Sequence, residues 1–89
     1  MIRTEITIVN RLGLHARAAA KFVTEASRFA SSVRLERSGQ QVNGKSIMGV
    51  MMLAASLGTR LELEVSGEDE ERAAVSLQEL VNDRFGEPE

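Results

Sequence analysis

The chain has 89 residues and a formal net charge of −2, enough for one small domain (1–89) with a single modest core and no general attraction to nucleic acid. Hydrophobic residues are 43% and charged residues 27% of the total, ordinary for a globular chain. There is no cysteine and one histidine, His15, which excludes disulfides, thiolate sites and thiol nucleophiles and argues against a histidine-based transition-metal site.

Ile2, Thr4, Ile6 and Ile8 alternate with Arg3, Glu5 and Thr7, the two-residue period of a half-buried strand and unlike a signal peptide. Asn10-Arg11-Leu12-Gly13 reads as a loop. A helix is expected from about Ala16 to Ser27, with Ala19, Phe22, Val23 and Ala26 on its apolar face. Val33 to Arg37 alternates again, Ser38-Gly39 turns the chain, and Gln40 to Val42 returns as a short strand. After the Asn43-Gly44 break, Ser46 opens a short apolar helix expected to reach Ala55, with Val50, Leu53, Ala54 and Leu57 inward and Gly58 at its exit. Leu61, Leu63 and Val65 alternate with Glu62 and Glu64 as a fourth strand. Asp69, Glu70 and Glu71 suit the first turn of a last helix, whose stripe is Ala74, Leu77 and Val81 flanked by Ala73 and Leu80. The tail from Gly86 to Glu89 is polar and expected to fray. No apolar run approaches the ~20 residues that span a bilayer, so membrane insertion is not expected and a cytoplasmic protein is the default. The order β-α-β-β-α-β-α predicts an α+β fold, a largely antiparallel four-stranded sheet with three helices on one face. The well-charged outer sides of the fourth strand and last helix favour a monomer.

His15 carries the chemistry. A lone histidine is ordinarily a loop residue or a helix cap. Here it opens a helix, where unpaired amides and a partial positive charge gather, and Arg17 follows two residues later. Those groups are equipped to hold a phosphoryl group on the ring and to stabilise charge on its oxygens during transfer. Local sequence supplies no carboxylate to His15 for a hydrolytic triad; only a distant one brought in by the fold would serve.

Ser46 reads first as a helix N-cap, worth about 0.5–2 kcal/mol against alanine. A phosphate there would be tolerated by the helix start and would set up to roughly two negative charges beside an apolar surface. Met48, Met51 and Met52 lean away from the core face of that helix, and core packing and an adaptable docking patch weigh about evenly for them. Arg11, Arg17, Lys21, Arg28 and Lys45 are either a solvated surface or the rim of a docking site for an acidic partner.

These residues resemble the HPr family of histidine phosphocarriers of the bacterial phosphoenolpyruvate-dependent phosphotransferase system. Gly13-Leu14-His15-Ala16-Arg17 matches the active-site motif of that family, and Lys45-Ser46-Ile47-Met48-Gly49-Val50-Met51 resembles its regulatory-serine motif. Length and element order fit as well, so the likeness spans nearly the whole chain. It implies an HPr-like open-faced β-sandwich. It also implies that His15 takes phosphate from phospho-Enzyme I on Nδ1, with Arg17 as the phosphate's partner. The acceptors would be the A components of sugar permeases or their nitrogen-branch counterparts. Ser46 would be the substrate of an ATP-dependent HPr kinase/phosphorylase. The docking face would be Ala16, Arg17, Ala20, Lys21, Thr24, Ser27, Ile47, Met48 and Met51. Such a protein is a stoichiometric carrier rather than an enzyme and needs no cofactor or metal of its own. One departure is Ala18, where the family commonly has proline; alanine suits a first helical turn equally and adds a free donor.

Two other classes compete. A regulatory binding module without phosphoryl turnover would have no use for the His15–Arg17 pair. An RNA-binding β/α domain would need aromatic platforms, and the only aromatics are Phe22, Phe29 and Phe85, none of them on a strand.

Overall fold

The alternation of apolar and polar residues, period two in four segments and near 3.6 in three, resolves into one two-layer arrangement. The computed structural model describes residues 1–89 in the order β1 (Ile2–Thr7), α1 (Ala16–Ala26), β2 (Ser32–Arg37), β3 (Gln40–Asn43), α2 (Ile47–Met52), β4 (Arg60–Ser66) and α3 (Glu70–Asn82), then a 3-10 turn at Arg84–Gly86. The four strands form one antiparallel sheet in the order β1-β4-β2-β3. The expected α+β element order and topology are present.

Register follows from the pleat. Leu63 of the central β4 lies between Thr4 and Leu35, and Val65 lies between Ile2 and Val33. Those side chains share one face and meet the helices, while Arg3 and Arg34 sit opposite Glu64 on the solvent face. From α1, Ala18, Ala19, Phe22 and Ala26 are buried; from α3, Ala73, Ala74, Leu77 and Val81. The alanines let α1 and α3 lie close to each other and α3 lie close to β1 and β4, while Phe22 and Leu77 are fully buried in the core. No helix is long and apolar enough to cross a membrane.

Three expectations need correction. The second helix ends at Met52, not Ala55. Arg37 of β2 donates to the carbonyls of Leu53 and Ala54 at 2.7 and 2.9 Å, and the carbonyl of Ala55 accepts from Leu14 N at 2.8 Å. These partners replace further helical bonds, and Ala54 itself turns out with φ 49°. Ala54 and Leu57 are therefore exposed, and Gly58 serves the turn into β4 by donating to Ile8 O at 2.7 Å. Asp69 precedes α3 as expected, yet its carboxylate makes no cap bond to that helix. It reaches across to accept from Ala30 N, Ser31 N and Ser31 Oγ, tying the start of β2 to α3. The third correction is the tail, which does not fray and is described with the site it closes.

Candidate functional site

The loop before α1 is set by backbone needs. Gly13 has φ 69°, and a Cβ there would lie 2.5 Å from the carbonyl oxygen of Ala55. Only glycine fits both the left-handed backbone and the close approach. Buried Asn10 braces the loop by donating from Nδ2 to Gly13 O at 2.8 Å. Leu14 is buried, and the chain emerges at His15.

His15 is the N-cap residue of α1, in extended conformation (φ −71°, ψ 176°), and its side chain makes no cap bond. The first helical bond runs from Ala19 N to His15 O at 2.8 Å. The amides of Ala16, Arg17 and Ala18 precede it, and a helix supplies no backbone acceptor to its first amides. The ring is 28% exposed at this end.

A carboxylate does reach the ring, and it comes from the far end of the chain. Glu87 Oε2 lies 2.5 Å from His15 Nε2, and Glu87 Oε1 accepts from Asn10 Nδ2 at 3.0 Å. Burial pushes the Glu87 carboxyl up, but the bonds from Asn10 and His15 and the charge of Lys21 outweigh it and hold the group below the ordinary carboxylate range. The tail is fastened at several points. Phe85 is buried, its carbonyl accepts from Lys21 Nζ at 2.7 Å, and Arg11 donates through its amide to Glu89 O at 2.7 Å. Arg11 also pairs with the Glu89 carboxylate at 2.8 Å. Hydrophobic anchoring of Phe85 and these bonds overcome the entropy that a polar tail would otherwise keep.

The five basic residues do not form one free surface. Arg11, Lys21, Arg28 and Lys45 are engaged with Glu89, Phe85 O, Glu25 and Phe29 O respectively. Arg17 is exposed and has no such partner. It borders a shallow cleft of about 160 Å³ lined by Arg11, Leu12, Arg17, Glu87, Pro88 and Glu89. A larger cleft of about 520 Å³ lies between Ala30, β2, β3 and Lys45 and contains no histidine.

Ser46 is the N-cap of α2, as its spacing predicts: its Oγ accepts from Gly49 N at 3.1 Å. Of the residues expected to face partners, Ala16, Arg17, Lys21, Thr24, Ser27, Ile47, Met48 and Met51 are exposed, and Ala20 is half-buried. Met48 is 77% exposed, so the methionines of α2 are surface rather than core. Met52 is exposed with them, as its spacing suggests; Leu57, expected inward, is exposed too, and Leu12 adds an exposed apolar side chain that the helical pattern did not single out. Asn10 and Glu87 were also missed. Asn10 reads as a plain turn residue, and nothing local to Glu87 marks it as other than a solvated charge.

Known proteins agree with this arrangement. A family model described as "PTS HPr component phosphorylation site" matches residues 2–83. A phosphocarrier protein HPr from Cupriavidus necator is 52% identical over 89 residues, covering 100% of both chains. One from Pseudomonas aeruginosa is 58% identical over 86 residues, 96% of each. Among solved structures, an HPr from Thermoanaerobacter tengcongensis superposes with a TM-score of 0.96 at 45% identity and full coverage of both chains. A structure of an HPr dimer from the same organism matches with a TM-score of 0.79 at 46% identity, covering 98% of this chain and 100% of that one. With the sheet, the helix-opening histidine and the whole-chain identity in agreement, this chain belongs to the HPr phosphocarrier family of the phosphotransferase system.

Proposed function

We propose that this protein carries a phosphoryl group on His15, taking it from phospho-Enzyme I and giving it to the A components of sugar permeases or their regulatory counterparts. One observation supports the choice of ring atom above others: Nε2 is engaged by Glu87, which leaves Nδ1 as the nitrogen with a lone pair to offer. A phosphoryl group on Nδ1 would find the first amides of α1 and the unpartnered guanidinium of Arg17 as donors. The transfer needs donor atom, phosphorus and acceptor nitrogen roughly in line, which two protein surfaces supply by docking. The exposed residues of α1 and α2 named above are the proposed docking face; flexible methionines suit brief contact with several partners. Ser46 is the proposed regulatory position, phosphorylated by an ATP-dependent kinase where one is present.

The test is incubation of the purified protein with Enzyme I and phosphoenolpyruvate, followed by mass spectrometry. Phosphate on His15 in the wild type, and none in a folded His15→Ala variant, is the expected result. Equal labelling of both would overturn the assignment.

A further inference from the structure

The ring of His15 is gripped from behind. Its Nε2 meets Glu87 Oε2 at 2.5 Å, and the second oxygen of the same carboxylate is taken by Asn10. The Glu87 side chain is only 10% exposed, against 28% for His15. Its backbone is fixed on both sides: Glu87 N donates to Arg84 O at 2.9 Å, and Arg84 donates to Pro88 O at 3.0 Å. Both carboxylate oxygens are therefore committed in a carboxylate that has lost most of its freedom, and the imidazole is one of its two partners.

We infer that Glu87 is a positioning residue for phosphoryl transfer, fixing His15 in the Nε2–H tautomer so that Nδ1 presents its lone pair to the incoming phosphorus. The inference rests on the carrier reading above and adds a residue to it. A neutral imidazole carries its proton on one nitrogen or the other, and the bond made by one nitrogen selects the tautomer of the whole ring. An ionised carboxylate only accepts, so the proton belongs on Nε2.

The transfer then balances without moving that proton. On acceptance, the Nδ1 lone pair forms the N–P bond, and the bond from phosphorus to the donor's leaving atom breaks with its electron pair. The ring becomes a phosphoimidazolium that still holds Nε2–H, and Glu87 offsets its positive charge. On donation, the N–P bond breaks, its pair returns to Nδ1, and the ring is again the neutral Nε2–H form. Without the carboxylate, part of the population would hold its proton on Nδ1 and be unable to attack from that atom. The ring would also lose the bond that sets its rotation about the side chain.

Nitrogen-15 NMR of the His15 ring at about pH 8, above the ordinary imidazole range, reads the tautomer directly and needs no phosphoryl donor. The wild type is expected to show the Nε2–H pattern, and Glu87→Leu a mixture of the two tautomers. Acceptance from phospho-Enzyme I should fall about 10- to 100-fold in Glu87→Leu, the scale of a misoriented reacting group. Glu87→Gln guards against a folding defect. It keeps the shape and one acceptor, so it should keep the tautomer and slow acceptance less than leucine does. A wild-type ring averaged between tautomers, or a leucine variant with the wild-type pattern and rate, overturns the inference. Failure of Enzyme I to label a wild-type protein that shows the Nε2–H pattern would instead remove the carrier reading and leave the pairing standing.

Discussion

Asn10 and Glu87 are joined at 3.0 Å across 77 positions of sequence, and through that bond the loop before α1 and the end of the chain share one buried amide. Asn10 spends its other side-chain donor bond on Gly13 O, so a single residue braces both the approach to His15 and the carboxylate behind it. Its Oδ1 is buried without a partner. That acceptor costs stability, and the two donor bonds must more than offset it.

Asn10→Ala removes both bonds and is expected to lower stability by about 1–3 kcal/mol in urea unfolding. It should also loosen the tail. The amides of Arg11 and Glu87, which donate to Glu89 O and Arg84 O, should exchange with solvent faster than in the wild type. Unchanged protection of both would show that Phe85 and Lys21 hold the tail unaided.

Gly13→Ala tests the loop from the opposite side. The new methyl group would need a left-handed backbone and would sit 2.5 Å from Ala55 O, a rigid backbone atom rather than a yielding side chain. The loop must shift, at a cost of about 1–3 kcal/mol, and the bond from Leu14 N to Ala55 O shifts with it. A melting temperature some degrees lower, together with altered amide resonances at Leu14 and His15, is expected. A variant as stable as the wild type with an unmoved His15 resonance would refute this account of the glycine.

How far these devices can be read from sequence depends on the range of the interactions that build them. The strands and the α1 stripe are legible because period and burial coincide: Leu63 is apolar on the inner face and pairs with Leu35 just as alternation requires. The candidate site is legible where it is local, since His15, Arg17 and Ser46 are each placed by the start of their own helix. What sequence reading lost is long-range. Glu87 lies 72 positions from His15, and its surroundings look like a solvated end. Arg37 caps α2 from a neighbouring strand, so the helix stops before its apolar pattern does. Asp69 looks like a helix-start acid, yet its carboxylate is claimed by Ala30 and Ser31.

Ser46 separates a cap from a switch. Ser46→Ala loses the bond to Gly49 N and should cost about 0.5–2 kcal/mol while leaving the rate of phosphoryl acceptance at His15 near wild type. Ser46→Asp keeps a good capping oxygen, so stability should be nearly retained. It also puts a negative charge beside exposed Ile47, Met48 and Met51, and acceptance should slow several-fold through weaker docking on an acidic partner. Stopped-flow or quench kinetics with phospho-Enzyme I reads the difference. An aspartate variant accepting at the wild-type rate would remove Ser46 from the regulatory proposal.

Asp69 contributes to the acid limb of stability. The hydroxyl of Ser31, then the amides of Ala30 and Ser31, hold its carboxyl down from 3.8 to about 2. A carboxyl lowered by folding stabilises the native state fully above its unfolded value, and that contribution disappears as pH falls through the folded value. Between pH 3.8 and about 2 the unfolded chain takes up this proton while the folded protein resists it, so stability must fall with pH in that window. Asp69→Asn removes this titration. Its urea midpoint should lie below that of the wild type at neutral pH, and the two should converge as pH drops towards the folded value. Glu25, Glu70 and Glu87, also held below their ordinary range, leave a residual acid dependence in the variant. Parallel curves for the two proteins across the window would mean that the bonds from Ser31 and Ala30 do not hold this carboxyl in its charged form.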